Sequence, residues 1–372
     1  MILKAAEKEQ ASYQKLIKRA VSDFGLPRII IMALFILLFI LAGIFSMNVP
    51  SFFGDVLRRW GMFGILVLAM LPGIQSGIGP NFGVTIGIVA GLVGAVLSIE
   101  VNHRGIFDFV TNSVAHSLVL VLVAILIGVT ISIFMGILYG MLLNRVKGSE
   151  MAVSVYVGFS VVAAFNILWV LMPVTAGRLI LPATGRGLRQ MVNLRDDFGD
   201  VFNQLFRFRI GDMTVHTGLL LVFFLSCFLM WLYTRSRLGM KMSAAGSNPE
   251  YARASGINVD KMRILGTTIS TALGAVGIVI YAQSFGFIQL YGAPLMMGFT
   301  VVASILIGGA SIRRARVFDV ILGAFLFNGI LTIALPLASE MIPDVPGVPE
   351  MLRLIITNGI ILYALTKAKG GR

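Results

Sequence analysis

Apolar residues run along this chain in long unbroken stretches separated by short polar connections. Ten such runs can be read, at 29–47, 60–77, 81–99, 117–143, 152–174, 214–234, 264–283, 295–310, 317–335 and 351–366. Most approach the roughly 20 residues that an α-helix needs to cross a hydrocarbon core. They are continuous rather than alternating, which argues against barrel strands. The pattern predicts an all-α fold: a polytopic transmembrane helix bundle of about ten spans, forming a single domain over 29–372.

Composition agrees. The 372 residues are 57% hydrophobic before 41 glycines are added, and only 13% are charged. A soluble domain averages about 25% charged, and a chain this apolar could not hide its surface in water. Lys and Arg set the orientation. With both termini cytoplasmic, the segments 1–28, 144–151, 235–263, 311–316 and 367–372 hold 20 of the 30 basic residues. Six of the remainder, all Arg, lie in one long external loop, 175–213. The net charge of +13 then reflects anchoring beside anionic lipid, and nothing points to nucleic acid. Within 1–28, Tyr13, Leu16, Ile17, Ala20, Val21 and Phe24 recur at helical spacing among Lys15, Lys18 and Arg19. This predicts a cytoplasmic helix lying on the membrane surface. The lone Cys227 excludes an intramolecular disulfide.

Catalytic chemistry finds no foothold. The sequence has no phosphate-binding G-x-x-x-x-G-K-[ST], no H-E-x-x-H and no Cys/His cluster, so no catalytic residue, metal or cofactor is expected. His103, His116 and His216 fall at or near the external face. Within the ten runs only Asp319 and Arg353 are charged, whereas ion-coupled pumps usually need a buried ionisable relay. Neutral polar residues remain. Gln75, Ser76, Asn81, Thr85, Gln283, Gln289 and Thr300 are candidates for a path suited to an uncharged, hydroxyl-rich solute. Bonding between packed helices is the alternative use of such residues. Two Gly- and Pro-containing stretches, "LPGIQSGIGPNFG" (71–83) and "SFGFIQLYGAPL" (284–295), predict broken helices that line one path. Gly83, Gly87 and Gly91 put a small-residue face on the helix that follows the first.

Between the sixth and seventh runs, "AAGSNPEYARASGINVDKMR" (244–263) is polar and capped. Ser247 or Asn248 suits the N-cap, Pro249 and Glu250 the first turn, and Gly256 the stop. A helix over 249–255 is too short to hold alone in water. Ala244, Gly246, Asn248, Ala252, Gly256, Ile257 and Asn258 resemble the cytoplasmic coupling loop of bacterial ABC importer permeases for ribose, galactose, nucleosides and branched-chain amino acids. Gly308, Gly309, Ser311, Gly323 and Ala324 in "SILIGGASIRRARVFDVILGAFLFNGI" are similar to a second motif of that family. Gln75 and Ser76 depart from its pattern, standing near an acidic position of the sugar permeases, and Tyr251 stands where Ala is frequent.

The resemblance implies a multi-pass permease subunit of the bacterial inner membrane. Its partners would be two ATP-binding subunits, a second permease copy, identical or not, and an external solute-binding protein. Asn248, Pro249, Glu250, Tyr251, Ala252, Arg253 and Gly256 would couple it to the ATPase, with Tyr251 as anchor and Ala252 set close in a groove. The solute implied is a neutral sugar or nucleoside. A branched-chain amino acid permease, a self-sufficient secondary transporter and a membrane enzyme are the other readings.

Overall fold

The computed structural model describes residues 26–181, 187–341 and 347–370. Most of the predicted surface helix in 1–28 lies outside them. In chain order the helices are α1 (Leu26–Ile44), α2 (Val49–Leu68), α3 (Met70–Gln75), α4 (Val84–His103), α5 (Ser113–Arg145) and α6 (Glu150–Leu171). There follow α7 (Val201–Gln204), α8 (Thr217–Arg235), α9 (Arg237–Ser247), α10 (Pro249–Ala254), α11 (Val259–Phe285), α12 (Ala293–Ile307), α13 (Val317–Met341) and α14 (Val348–Gly370). Each predicted run falls on a helix. Among the described residues seven helical stretches are long and apolar enough to cross a membrane, α2 and α3 counting as one, and α1 and α12 contribute shorter apolar helices.

Helix ends follow local capping more than hydropathy. α2 starts at Val49, well before the apolar run at 60, because the Asn48 side chain accepts a hydrogen bond from the Ser51 N–H at 3.1 Å and Pro50 suits a first turn. Asn112 caps α5 in the same way. The bundle also carries short strands that an all-helical reading does not include. β1 (Met191–Asn193) pairs antiparallel with β4 (Phe287–Gln289), and β2 (Arg207–Ile210) pairs with β3 (Met213–His216). At three or four residues none could span a bilayer. They fold the predicted loop 175–213 onto one end of the bundle.

Polar contacts sort the connections into two ends. At one end Asn203 bonds the α11 residue Ser284, Asn102 bonds Asp197, and Asn48 bonds Asp212. At the other, Arg263 meets Glu150 at 2.5 Å, Lys147 meets Asp260 at 2.6 Å, and Arg28 meets Asp319 at 3.0 Å. α9 and α10 belong to this second end.

The centre is held by glycine. α11 packs most heavily on α5 and α4. A Cβ at Gly87 would overlap the Thr271 carbonyl of α11, and one at Gly91 would lie 2.9 Å from the Ala275 Cα. On α5, Gly128 faces the Gly91 Cα, where an added Cβ would come to 2.9 Å. Backbones this close gain dispersion along their whole length, which matters where lipid supplies no hydrophobic drive between helices. Gly87→Ala should therefore destabilise the protein by about 1–3 kcal/mol through overpacking. Gly43→Ala, at a position with nothing within 4 Å, should leave it unchanged. Thermal unfolding of the two purified variants in detergent checks this, and equal melting temperatures would contradict it.

Candidate functional site

The first predicted break is real and folds back into the bundle. α3 ends at Gln75, and residues 76–83 form irregular backbone before α4 begins at Val84. Gly77 and Gly79 take φ of +81° and +90°, the left-handed region that glycine enters without strain. Asn81 is fully buried. Its Nδ2 donates to the Ser270 Oγ at 3.2 Å, and its Oδ1 accepts from the Tyr139 hydroxyl at 2.7 Å and the Gly83 N–H at 3.0 Å. Ser270 lies eleven residues into α11, about 16 Å from that helix's start at 1.5 Å per residue. Irregular backbone at such depth survives only with its polar groups satisfied; Asn81 takes up the Gly83 N–H, and the Ser76, Gly77 and Ile78 N–H groups bond the Pro72, Ile74 and Gly73 carbonyls.

The other candidates separate. Ser76 is buried and donates to the Gly73 carbonyl at 3.0 Å. Gln75 Nε2 donates to the Ala315 carbonyl at 3.1 Å in the α12–α13 loop, while its Oε1 is buried without a partner among the described residues. Thr85 is buried and donates to the Phe82 carbonyl at 3.3 Å. Thr300 donates to the Met297 carbonyl at 2.9 Å within its own helix. Gln283 and Gln289 sit at the opposite end. Gln283 accepts from the Phe202 N–H at 3.2 Å, and Gln289 pairs with Met191 across the β1–β4 ribbon. The second break thus lies at the strand-bearing end, apart from the Asn81 segment deeper in the bundle. The similar Gly, Gln and Pro content of the two breaks reflects the needs of irregular backbone and carries no information about proximity.

An open cleft of about 600 Å³ runs beside the re-entrant segment, walled by Pro80, Phe82, Met151, Val155, Phe299 and Ile312. Thr85 lines its narrow extension with Gly158 and Gly298. The lining is mainly apolar with few polar groups, the common make-up of small-molecule sites. Phe82 and Phe299 stack tilted across it at 5.2 Å.

The capped polar stretch is more elaborate than a lone helix. Ser236, Asn248 and Asn258 cap α9, α10 and α11 in turn. Asn248 accepts from the Tyr251 N–H at 3.0 Å, and Gly256, at φ +77°, ends the α10 segment. Ser255 caps α10 at its C-terminal end, so the helix is one residue shorter than predicted. Ala252, expected to meet a partner's groove, is instead fully buried against Ala245 and Val259 of this chain. That contact is what stabilises so short a helix. Pro249, Glu250, Tyr251 and Arg253 remain exposed, Tyr251 by 70%. The platform touches the re-entrant segment directly. A Cβ at Gly77 would come within 2.8 Å of the Gly246 Cα, and one at Gly246 would overlap the Gln75 carbonyl.

Sequence reading missed Tyr139 and Ser270, which lie inside apolar runs among other hydroxyl-bearing residues. It also missed the buried ion network at the strand-bearing end. There Glu100 accepts from the Ala176 N–H at 3.0 Å and from the Thr175 hydroxyl. Asp197, 2% exposed, accepts from Asn102 at 2.7 Å and pairs with Arg178. Burial holds the Asp197 carboxyl above its ordinary value against the pull of Asn102 and Arg178. The charges flank the runs, so no apolar pattern marks them.

Two measurements follow from these geometries. Asn81→Leu should strand the Tyr139 hydroxyl and Gly83 N–H at about 1–3 kcal/mol each, whereas Tyr139→Phe should cost about 0.5–1.5 kcal/mol. Equal melting temperatures would show that Asn81 is not the hub. The folded chain holds the Asp197 proton more tightly than the unfolded chain does, so ionising the group costs stability. Its contribution is intact below the unfolded value of about 3.9 and declines as pH rises through the folded value. Asp197→Asn should lose that decline, read as a flatter dependence of melting temperature on pH than in wild type.

A bundle of apolar helices closed around a re-entrant polar segment defines a multi-pass helical membrane protein. Residues 28–365 match the family described as the branched-chain amino acid transport system, permease component, and the chain belongs to it. It is a multi-pass protein of the bacterial inner membrane. The nucleoside ABC transporter permease protein NupB of Lactococcus lactis is 28% identical over 159 residues, 42% of this chain and 40% of that protein. The galactofuranose transporter permease protein YtfT of Escherichia coli is 27% identical over 158 residues, 41% and 46% respectively. The autoinducer 2 import system permease protein LsrC of Yersinia pestis is 30% identical over 103 residues, 27% and 29%. The chain thus spans less than half the length of these relatives. No solved structure matches it.

Proposed function

We propose that the chain is the membrane-spanning permease subunit of an ATP-driven importer for a neutral sugar or nucleoside. Ten spans, both termini in the cytoplasm and a single permease domain over 29–372 complete the reading. The observation that carries it is the contact of the α9–α10 platform with the re-entrant segment through Gly246 and Gly77. A push on exposed Tyr251 reaches Gln75 and Asn81 through packed backbone, with no flexible side chain between.

In this scheme two ATP-binding subunits, separate from this chain, dock on Glu250, Tyr251 and Arg253 at the cytoplasmic end. Ala252 acts from inside by holding α10 to its own chain. A solute-binding protein docks at the strand-bearing external end. A second permease copy completes the open side of the Phe82–Phe299 cleft, placing Thr85, Asn81 and Gln75 near the solute's route. Gln75 supports this with a buried acceptor that lacks a partner among the described residues. Gln283, Gln289 and Thr300 have weaker support, two by distance from the cleft and one by bonding its own helix. The relatives named for nucleoside and galactofuranose transport favour a hydroxylated solute, whereas the family's description favours a branched-chain amino acid.

Tyr251→Ala should leave insertion and folding intact, since the ring is exposed, yet abolish co-purification of the ATP-binding subunit. Aromatic anchors of this kind commonly supply 2 kcal/mol or more at an interface, about a thirtyfold loss of affinity. Gln75→Leu should preserve assembly and reduce uptake up to roughly tenfold. Wild-type assembly in the first variant would refute α10 as the docking element. Unchanged uptake in the second would reduce Gln75 to a packing role.

A further inference from the structure

A second cavity, of about 490 Å³, opens at the end that carries α9 and α10. Arg28 of α1, Gly309, Ser311, Arg314 and Arg316 of the α12–α13 loop, and Phe318 and Asp319 of α13 line it. Nothing in the coupling scheme uses it. Its shape is built by the loop. Gly309 takes φ +103°, and the Arg28 guanidinium lies where a Cβ would stand. The Ser311 N–H donates to the Arg314 carbonyl at 2.8 Å, and the Arg314 N–H to the Ser311 Oγ at 3.1 Å, closing a tight turn that presents the arginines.

The charge in the pocket does not balance. Asp319 is the carboxylate in its wall, and both its oxygens are engaged. One meets Arg28 at 3.0 Å, and the other accepts the Arg316 backbone N–H at 2.9 Å. Arg314 and Arg316 are exposed and form no close ion pair with a carboxylate among the described residues, Arg316 feeling the Asp319 charge only at longer range. Two unpaired guanidiniums around a concave site suit a phosphate group, whose oxygens accept their planar forks bidentately. Beside them Phe318 is 56% exposed. An exposed ring next to arginines, at the end of a membrane helix, matches the boundary between headgroups and acyl chains.

We infer that this pocket binds the phosphate group of an anionic ligand, supplied by an acidic phospholipid headgroup or by soluble phosphate. The Phe318 ring favours the lipid source. Assignment to the cytoplasmic leaflet rests on the orientation proposed above; the phosphate chemistry does not. Occupancy would brace the loop whose Ala315 carbonyl holds Gln75.

The test uses the full chain in detergent, titrated with phosphatidylglycerol or phosphatidylcholine and read by native mass spectrometry. In the Arg314→Gln/Arg316→Gln variant the tightest phosphatidylglycerol should bind roughly tenfold or more weakly, each surface arginine being worth a several-fold factor. Arg207→Gln/Arg209→Gln removes the same charge from the strand-bearing end and should bind as wild type does. Resistance of the bound lipid to excess inorganic phosphate identifies the headgroup as ligand. Displacement by phosphate, lost in the Arg314/Arg316 variant, identifies the soluble source. Equal phosphatidylglycerol affinity in wild type and the Arg314/Arg316 variant, or equal losses in both double variants, would overturn the site. Neither readout depends on transport, so the inference and the proposed function stand or fall separately.

Discussion

Irregular backbone cannot be left at membrane depth without partners for its N–H and C=O groups, and residues 76–83 lie at such depth. Asn81, whose side chain takes up one of those groups, is itself held from three sides. Tyr139 comes from α5, Ser270 from α11, and the Gly83 N–H from the segment itself. Each of these helices must then approach closely enough to deliver a bond of about 3 Å. The glycines of α4 and α5 follow from that demand, because side chains at Gly87, Gly91 or Gly128 would hold the helices apart.

The same closeness leaves the centre little room to deform. Two regions of different character lie at the bundle's ends. At one, short strands and the Glu100 and Asp197 networks tie loops into a fixed cap, with carboxylates satisfied by backbone N–H groups and arginine. At the other, capped helices α9 and α10 rest against the re-entrant segment by glycine contact, and their outward face mixes polar residues with exposed Leu238, Met240 and Tyr251. Small motions at packed interfaces shift between discrete arrangements more readily than they dissipate.

Arginine is used in two ways at this second end. Arg263 is nearly buried and bonds Glu150, Asn144 and the Leu143 carbonyl, which ties α11 to the α5–α6 connection. Arg314 and Arg316 stand exposed around a cavity with one carboxylate already committed. In the proposed orientation the positive-inside tendency alone accounts for the number of basic residues there. It does not account for their arrangement around a concave wall.

Helix type and approximate position were legible in the sequence, because apolar runs of about 20 residues have few other physical solutions. So were the caps at Asn248 and Gly256 and the broken backbone at 71–83, since Asn, Pro and Gly act on their own neighbours. Membership of the permease family was legible in the capped stretch for the same local reason. Other features depended on which residues the fold brings together. Ala252 reads as a small interface residue until the structure buries it against Ala245 and Val259. Gln75 and Gln289 look equivalent in one dimension, yet one bonds the α12–α13 loop and the other sits in a ribbon at the far end. Local chemistry determines which element a residue enters. Partnerships such as Asn81 with Tyr139, 58 positions apart, arise only when tertiary packing trades chain entropy for contacts that no short stretch contains.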